Sequence, residues 1–452
     1  MPQWFRSHGW LGILVVVLVA LLVAAACGGD DATTTKTPGG ASPAAGGKAE
    51  ALAAIFFPES GRIALKEALE QKIISKFLFV DGTKSQKMFD DLGAANFEGL
   101  SGTAPGATNP ETGAKFDAAY QTKYPGVRVS DLAFLRESYD AAFLIALAAV
   151  SANSTNSEAI RDNLRFVSNP PGEKIGIGAA EFKKAADLLK QGKDINYEGT
   201  AGPLDLDVNG DVAAGAIEIW KIVGGKITTQ SSKPVDLGKE TGVQVPAGSQ
   251  KRSSTNPTDA LKIGAVMSLT GDLKDFGTAD SDAMRLAIEE INSVGGVFGK
   301  PVELKVVDDG TNPQTGQTAA KQLVDVEKVS AVIGALSSGV TLPIAESITS
   351  PAKILQISPA STSPALTKAK DNDFLFRTTI SDAAQGVILA GLAKDLGFKT
   401  VCTVFVNTPY GQGLSEKFAD AFKKLGGTVP QQVPIEQQAT SYVTELKKCV
   451  GK

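Results

Sequence analysis

The 452-residue chain has 43% hydrophobic residues and a formal net charge of −4, so it can bury a sizeable core. Its slight acidity and the lack of any Lys/Arg-rich run argue against a nucleic-acid partner. The single histidine, His8, lies in a segment that we predict is removed, which excludes His-dependent catalysis and His metal ligands from the mature protein.

Residues 1–26 are predicted to be a lipoprotein signal peptide. A positively charged start precedes the apolar run Leu11–Val23, which is too short for a membrane span and is followed by small residues. Ala24–Cys27 resembles a bacterial lipobox, which implies that Cys27 is lipidated and becomes the mature N-terminus. Plain secretion with a free cysteine is the alternative. Residues 27–50 are predicted to be a flexible tether.

After the tether, short apolar runs alternate with segments of helical periodicity. These elements are, in chain order, a strand at Leu52–Phe57, a helix at Gly61–Ile74, a strand at Lys76–Val80, a helix at Gln86–Leu92, a strand at Phe97–Leu100 and a long helix at Leu132–Val150. Two more strand candidates, Asp205–Val208 and Ala216–Val223, flank Asn209-Gly210, which predicts a hairpin turn. Asp205–Asp211 imitates a calcium loop, but its twelfth position is Ala216 instead of Glu, so the hairpin is favoured.

Residues 229–260 are rich in Pro, Gly, Ser and Thr and are predicted to be a linker. Beyond them the alternation returns, with strands at Ile263–Met267, Val302–Val307, Val329–Gly334, Ile354–Ile357 and Val401–Val406, and helices at Ser281–Asn292, Thr318–Val326, Leu414–Leu425 and Tyr442–Val450. Such alternation predicts parallel sheets covered on both faces, which is an α/β fold. The number of strands requires two such doubly wound sheets.

Several motifs in the second half resemble the N-terminal half of the branched-chain amino-acid-binding proteins of ABC transporters, which are type I periplasmic binding proteins. These motifs are Ile263–Gly271, Gly295–Pro301, Leu304–Asp309, Ile333–Ser338, Ile357–Thr362 and Val406–Gly413. The first half resembles the C-terminal half of the same family at Phe57–Gly61, Val80–Gly82, Ser138–Ala142, Gly202–Asp205 and Ala216–Trp220. The resemblance implies two lobes joined by a hinge, with the ligand in the cleft between them.

The two halves stand in reversed order, which predicts a circular permutation. The helix Tyr442–Val450 should lead into a strand, and Leu52–Phe57 is the strand that would continue it. An assembly artefact and two fragments exchanged between subunits are the alternatives. The predicted domains are residues 51–110, 202–228 and 380–452 in lobe II, residues 111–201 and 261–379 in lobe I, and residues 229–260 as the join between the old termini.

Candidate carboxylate-binding residues follow two predicted strands. Ser337 and Ser338 come after the strand that ends at Gly334, and Ala360, Ser361 and Thr362 come after the next one. Hydroxyls and free backbone N–H groups at helix starts suit an anion, and the resemblance implies that these segments bind the ligand carboxylate. Helix N-capping is the alternative role for these residues.

Candidate ammonium-binding residues are acidic. The resemblance implies that Asp81, after the strand Lys76–Val80, takes this role, with Glu59 as second choice. It also implies that Phe276 and Tyr410 line the cleft. Solvated turn carboxylates and core aromatic rings are the respective alternatives.

Cys402 and Cys449 are predicted to form a disulfide. The expected compartment is oxidising, Cys402 begins a strand, and Cys449 ends the helix that should pack beside it. Two buried free thiols are the alternative.

Together these features predict an extracytoplasmic lipoprotein, anchored to the cell membrane, that binds a small branched-chain-like amino acid for the permease of an ABC importer. We expect a monomer with no cofactor, metal or enzyme activity. Relatives with similar motifs bind amides, urea or aromatic acids, so these ligands stay open. An extracytoplasmic sensor is the second hypothesis, and an enzyme on a similar fold is the third.

Overall fold

A computed structural model describes residues 48–452. The predicted signal peptide, Cys27 and nearly all of the predicted tether lie outside the described residues. Within residues 48–452, no helix combines the length and apolarity needed to cross a bilayer. The last tether residues pack onto the fold, because Ala49 is buried and Glu50 accepts the backbone N–H groups of Lys399 (2.7 Å) and Thr400 (3.2 Å).

Strands and helices alternate along most of the described chain. The strands are β1 Ala51–Ile55, β2 Phe77–Phe79, β3 Ser101–Gly106, β4 Glu173–Ile175, β5 Ile195–Tyr197, β6 Ala214–Val223, β7 Lys226–Asp236, β8 Lys262–Met267, β9 Glu303–Asp308, β10 Ala331–Gly334, β11 Leu355–Ser358, β12 Leu375–Arg377, β13 Val401–Val406 and β14 Gln432–Ile435. The helices are α1 Pro58–Glu70, α2 Gln86–Asp91, α3 Pro110–Lys123, α4 Leu135–Ala152, α5 Ser157–Ser168, α6 Ala179–Lys190, α7 Leu237–Thr241, α8 Lys274–Ser293, α9 Pro313–Gln322, α10 Ser338–Ile344, α11 Asp382–Asp395, α12 Pro409–Lys424 and α13 Val443–Val450.

Two main sheets form two α/β lobes, which confirms the predicted fold class. Lobe I contains a five-stranded parallel sheet in the order β12-β11-β10-β8-β9. Lobe II contains a seven-stranded sheet in the order β14-β13-β1-β2-β3-β6-β7, in which β6 runs antiparallel to both of its neighbours, β3 and β7. Helices α4, α5 and α8 pack on lobe I, and α11 and α12 pack on lobe II. Central parallel strands such as β1 and β13 are short apolar runs because both faces of the sheet are covered there.

The two ends of the described chain meet in the lobe II sheet. Strand β1 lies between β13 and β2, with Ala51 opposite Val401, so the predicted pairing of these segments is correct. Leu52 N–H donates to Lys76 O (3.0 Å), and the Lys452 ammonium donates to Ile73 O (2.6 Å) in the same loop. The first strand and the last residue therefore contact one loop.

Three local predictions are wrong. The predicted strand Phe97–Leu100 lies ahead of β3, which begins at Ser101. Asp205–Val208 is not a full strand: only Leu206 pairs across the predicted Asn209-Gly210 turn, in an antiparallel bridge with Val212. The Asp207 carboxylate accepts the N–H groups of Asn209 (2.7 Å) and Asp211 (3.0 Å) and closes this turn. The strand hairpin is β6–β7 instead, with Gly224 and Gly225 at its turn. The predicted linker therefore begins as a strand, because residues 229–236 pair with β6.

The rest of the linker is also ordered. It starts as α7, and farther on the backbone of Gly248 lies against Phe166 of α5. Asn153 Nδ2 donates to Ser253 O (3.1 Å). The linker thus leaves the lobe II sheet and runs along lobe I before β8 begins.

The structure joins Cys402 and Cys449 in a disulfide, with Cα atoms 5.7 Å apart. This is the pairing that the sequence predicts. The bond ties α13 to the start of β13, at the edge of the sheet opposite the strands' carboxyl ends.

Candidate functional site

A narrow cavity lies between the lobes, where the carboxyl ends of the strands of both sheets face each other. Open α/β sheets bind ligands at this edge, because loops and helix starts converge there. Its lining residues are Phe57, Asp81, Gly82 and Tyr410 from lobe II, and Phe134, Leu273, Phe276, Leu336, Ser337, Ser338 and Ala360 from lobe I.

The acidic group of the cavity is Asp81, which follows β2 and is only 2% exposed. Its Oδ1 accepts hydrogen bonds from Gln385 Nε2 (2.7 Å) and Tyr410 Oη (2.9 Å). Burial raises the pKa of Asp81 to about 6, although these hydrogen bonds favour the charged form. Both side-chain donors bind Oδ1, so within residues 48–452 no side chain donates a hydrogen bond to Oδ2.

The ring of Tyr410 forms one wall beside this carboxylate. It stacks on Phe57 with ring centroids 5.4 Å apart, and its hydroxyl accepts the N–H of Gly82 (3.2 Å). Position 82 must be glycine, because a Cβ there would clash with the backbone oxygen of Phe56 and would lie 2.9 Å from the Tyr410 hydroxyl. Backbone contact therefore holds the tyrosine against Asp81.

The lobe I side offers hydroxyls and rings. Ser337 directly precedes α10, but within the described residues its hydroxyl makes no capping hydrogen bond to that helix. Ser338 Oγ accepts the N–H of Ser363 (3.3 Å). Phe276 is 1% exposed and lies near Phe134, with centroids 6.3 Å apart. This wall carries polar groups at one end and apolar surface at the other.

Two predicted carboxylate-binding side chains point into the protein. Ser361 Oγ lies 2.8 Å from Thr341 Oγ1 and donates to Leu336 O (3.2 Å). Thr362 Oγ1 donates to Asp382 Oδ2 (2.9 Å). The structure brings Ser337, Ser338 and Ala360 to the cavity, but it uses Ser361 and Thr362 to brace the loop behind them.

Glu59 also lies away from the cavity. Its carboxylate pairs with Lys274 Nζ (2.9 Å) and with Arg62, at the rim where the lobes meet. The structure therefore places Glu59 in a contact between lobes, although the sequence analysis assigns it to the ammonium.

A second buried carboxylate, Asp382, supports the site from behind. It begins α11 and is fully buried, and burial together with the nearby Asp81 raises its pKa well above the ordinary value. Burial in this way favours the protonated acid, which avoids two adjacent buried charges. A buried acid has no local sequence signature, so sequence analysis missed it.

Four apolar residues of the lining are not predicted from the sequence: Phe57, Phe134, Leu273 and Leu336. Phe57 and Leu336 lie directly beside predicted site residues, and this adjacency could have revealed them. Phe134 lies before α4 with φ of +73°, and no local pattern marks it. No cluster of metal-ligating side chains occurs within residues 48–452.

Two α/β lobes that enclose a cavity are the architecture of two-lobed binding proteins, and this is the class that the fold defines. Residues 260–450 match the family model described as periplasmic binding protein, and residues 47–225 match the one described as receptor family ligand binding region. Two separate segments of the chain are therefore similar to ligand-binding domains of the periplasmic binding protein type.

The curated relatives carry names that describe amino-acid binding. A Leu/Ile/Val-binding protein homolog 3 of Brucella melitensis is 32% identical over 191 residues, which are 41% of this chain and 51% of the relative. An amino acid binding protein of Pseudomonas aeruginosa is 32% identical over 38% of this chain and 46% of the relative. The chain thus spans about half the length of the curated relatives that it matches.

Solved structures give similar partial matches. The leucine-binding protein LivK of Thermotoga maritima is 31% identical, with 42% of this chain and 53% of that chain covered and a TM-score of 0.39. The substrate-binding protein LivJ of Streptococcus pneumoniae, in complex with isoleucine, is 30% identical, with 43% and 55% covered and a TM-score of 0.38.

Proposed function

We propose that this protein is an extracytoplasmic solute-binding protein that captures a small amino acid with an apolar side chain for an ABC importer. The observation that carries the proposal is the composition of the cavity, where a buried Asp81 faces a wall of hydroxyls and rings. A zwitterion with an apolar side chain complements all three features. The names of the relatives, which describe Leu/Ile/Val-binding and amino-acid-binding proteins, support the same ligand class.

In the proposed complex the ammonium contacts Asp81 and the carboxylate contacts the Ser337–Ser338 segment. Ions buried away from water need an opposite charge or several hydrogen bonds, so each end of the zwitterion requires its own site. The apolar side chain then lies against Phe276 and Phe134. A ligand that contacts both lobes favours the closed state through those contacts. This role needs no cofactor, metal or reaction, and one monomer is sufficient.

A thermal-shift screen against amino acids and amides tests the proposal. We expect branched-chain amino acids to raise the melting temperature and to bind with a 1:1 stoichiometry in calorimetric titration. If amides, urea or aromatic acids stabilise the protein and amino acids do not, the proposed ligand class is wrong and one of these compounds takes its place. No response to any of these compounds would refute solute binding of this class.

We also infer that Cys27 is lipidated and anchors the protein outside the cytoplasm. The inference rests on the apolar run and the small residues that precede Cys27. Metabolic labelling with a fatty-acid analogue should label the wild-type protein and not Cys27→Ser. Equal labelling of both proteins would contradict it.

We infer that the two halves of the chain are circularly permuted relative to the proteins that they resemble. The two family models match segments 47–225 and 260–450, and β1 occupies the place in the sheet that follows α13 and β13. A reordered chain with residues 261–452 followed by 49–236 should fold and bind the same ligand. A reordered chain that is insoluble or inactive would argue against the permutation.

A sensor without a transporter is the second candidate. The match of residues 47–225 to a receptor family ligand binding region favours it. Permease and ATPase genes beside this gene would support transport, whereas a neighbouring kinase gene would support the sensor.

A further inference from the structure

The residue that precedes helix α1 does not cap the helix with its side chain. The first backbone N–H groups of a helix have no partner within the helix and need an acceptor. The residue before α1 is Phe57, whose side chain has no acceptor, and the helix starts at Pro58, which has no N–H. The unpaired donors are therefore those of Glu59 and Ser60.

Asp272 of lobe I supplies both acceptors. Its backbone oxygen accepts the N–H of Glu59 (3.4 Å), and its carboxylate accepts the N–H and the hydroxyl of Ser60, at 2.9 Å each. Asp272 is only 1% exposed. A helix of one lobe is thus capped by a side chain of the other lobe.

The loop that carries Asp272 is held by its own lobe. Asp308 Oδ1 accepts the N–H groups of Leu269 (2.9 Å) and Thr270 (3.1 Å). Thr311 Oγ1 accepts the N–H of Leu273 (3.0 Å). These bonds do not cross the cleft, so Asp272 keeps its place on lobe I when the lobes separate.

The cap adjoins the cavity on both sides. Phe57, next to the capped turn, and Leu273, next to Asp272, both line the cavity. Any separation of the lobes breaks the hydrogen bonds of Asp272 with Ser60 and moves Phe57 away from Leu273. The same closing movement of the lobes therefore forms the cap and encloses the cavity.

We propose that Asp272 is a positioning residue for lobe closure, which it stabilises as a helix cap supplied across the cleft. The proposal rests on the proposed ligand-binding function, since closure matters only if a ligand is enclosed. Two nearby ion pairs between the lobes, Arg62 with Asp275 (2.6 Å) and Lys274 with Glu59 (2.9 Å), add charge attraction. Asp272 differs from them because its carboxylate is bonded to the helix backbone.

The test uses the full chain with the substitutions Asp272→Ala, Asp272→Asn and Ser60→Ala. Asp282→Ala, in the helix that follows Asp272, is the control. Asp282 lies within α8 of lobe I, where it faces Arg285 (3.9 Å). The affinity and dissociation rate are measured by calorimetry and stopped flow with the best amino acid from the thermal-shift screen. Exchange of the Ser60 amide hydrogen is followed by mass spectrometry with and without that amino acid.

Asp272→Ala should weaken binding by roughly 3- to 30-fold, which is the range for a lost helix cap, mainly through faster dissociation. Asp272→Asn should bind within about threefold of wild type, because Asn and Asp cap helices about equally well. The Ser60 amide should exchange faster in Asp272→Ala than in Asp282→Ala.

Equal affinity and equal Ser60 exchange in Asp272→Ala and wild type would overturn the proposal. So would faster exchange at unchanged affinity, which would make the cap irrelevant to closure. If wild-type protein binds nothing in the screen, the proposed function fails separately. The cap is then judged by ligand-free exchange alone, and equal Ser60 exchange in the two proteins would refute it.

Discussion

The two walls of the cavity differ in their chemistry. The lobe II wall carries a buried carboxylate, Asp81, held by Gln385 and Tyr410 through short hydrogen bonds. The lobe I wall consists of rings such as Phe276 and of hydroxyls such as that of Ser337. Lobe II thus contributes a charged group to the cavity, whereas lobe I contributes apolar surface and neutral hydrogen-bonding groups. A ligand needs both walls, so recognition and closure are coupled.

The lobes also differ in how they are held together. Lobe II contains the first strand and the last helix of the described chain, and its disulfide joins β13 to α13. All three cysteines of the sequence lie outside the segments that form lobe I. Covalent reinforcement is therefore confined to the lobe in which the two ends meet.

The largest effect should come from the charged wall. Asp81→Ala should weaken amino-acid binding by about 2–5 kcal/mol, because it removes one partner of a buried charge pair. Calorimetric titration measures the change, with Asp420→Ala on the exposed surface of α12 as control. Unchanged affinity would show that the ammonium binds elsewhere. The proposed difference between a charged lobe II wall and a neutral lobe I wall would then have no role in binding.

Loss of the disulfide should reduce the stability of lobe II. Replacing Cys402 and Cys449 by Ser should lower the free energy of unfolding by about 2–4 kcal/mol, since the bond closes a long loop. The two cysteines are 47 residues apart. Urea unfolding measures the effect, and ligand affinity should stay within about twofold because the bond lies opposite the cavity. An unchanged midpoint would mean that the packing of α13 alone is sufficient.

The charged wall should also make binding depend on pH. The pKa of Asp81 in the ligand-free fold is about 6, raised from 3.8 by burial. A bound ammonium requires the carboxylate, so affinity should be full above pH 7 and fall about tenfold at pH 5. The stability of the ligand-free protein should show the opposite trend. Between pH 4 and 6 the folded state binds more protons at Asp81 than the unfolded state does, so the contribution of this group to the free energy of unfolding should fall as the pH rises.

Calorimetry from pH 5 to 8 in buffers of different ionisation enthalpy counts the released protons. The affinity of Asp81→Asn, although weaker, should be nearly constant over this range. A wild-type affinity that is equally constant would contradict the raised pKa.

The smallest effects should come from the neutral wall and should separate Ser337 from Thr362. Ser337→Ala should weaken binding by about 0.5–1.5 kcal/mol, as for one hydrogen bond, with little change in stability. Thr362→Ala should instead lower stability by about 1–3 kcal/mol, because Asp382 loses a buried donor. Titration and thermal unfolding of both variants decide between these assignments. The reverse pattern would place Thr362 at the ligand and Ser337 in the scaffold.

Local sequence patterns predicted most strands and several positions of the site. Apolar runs such as Leu52–Phe57 indicated the parallel strands, because a sheet covered on both faces needs continuous apolar residues. Strand β3 was misplaced because its sequence is rich in Gly, Thr and Pro. Its Gly102 is required by packing, since a Cβ there would lie 2.5 Å from Trp220. That contact joins residues more than one hundred positions apart, so no local pattern contains it.

The fold class and the chemical types at the strand ends can be predicted from the sequence, because periodicity and motifs are local properties. Which of those side chains reach the cavity depends on the tertiary structure. Ser337 faces it while Thr362 supports Asp382, and Glu59 lies at the rim while Phe134 lines the cavity. Side-chain burial and the partners across the cleft depend on how two lobes meet, and the contacts between them join residues far apart in the chain.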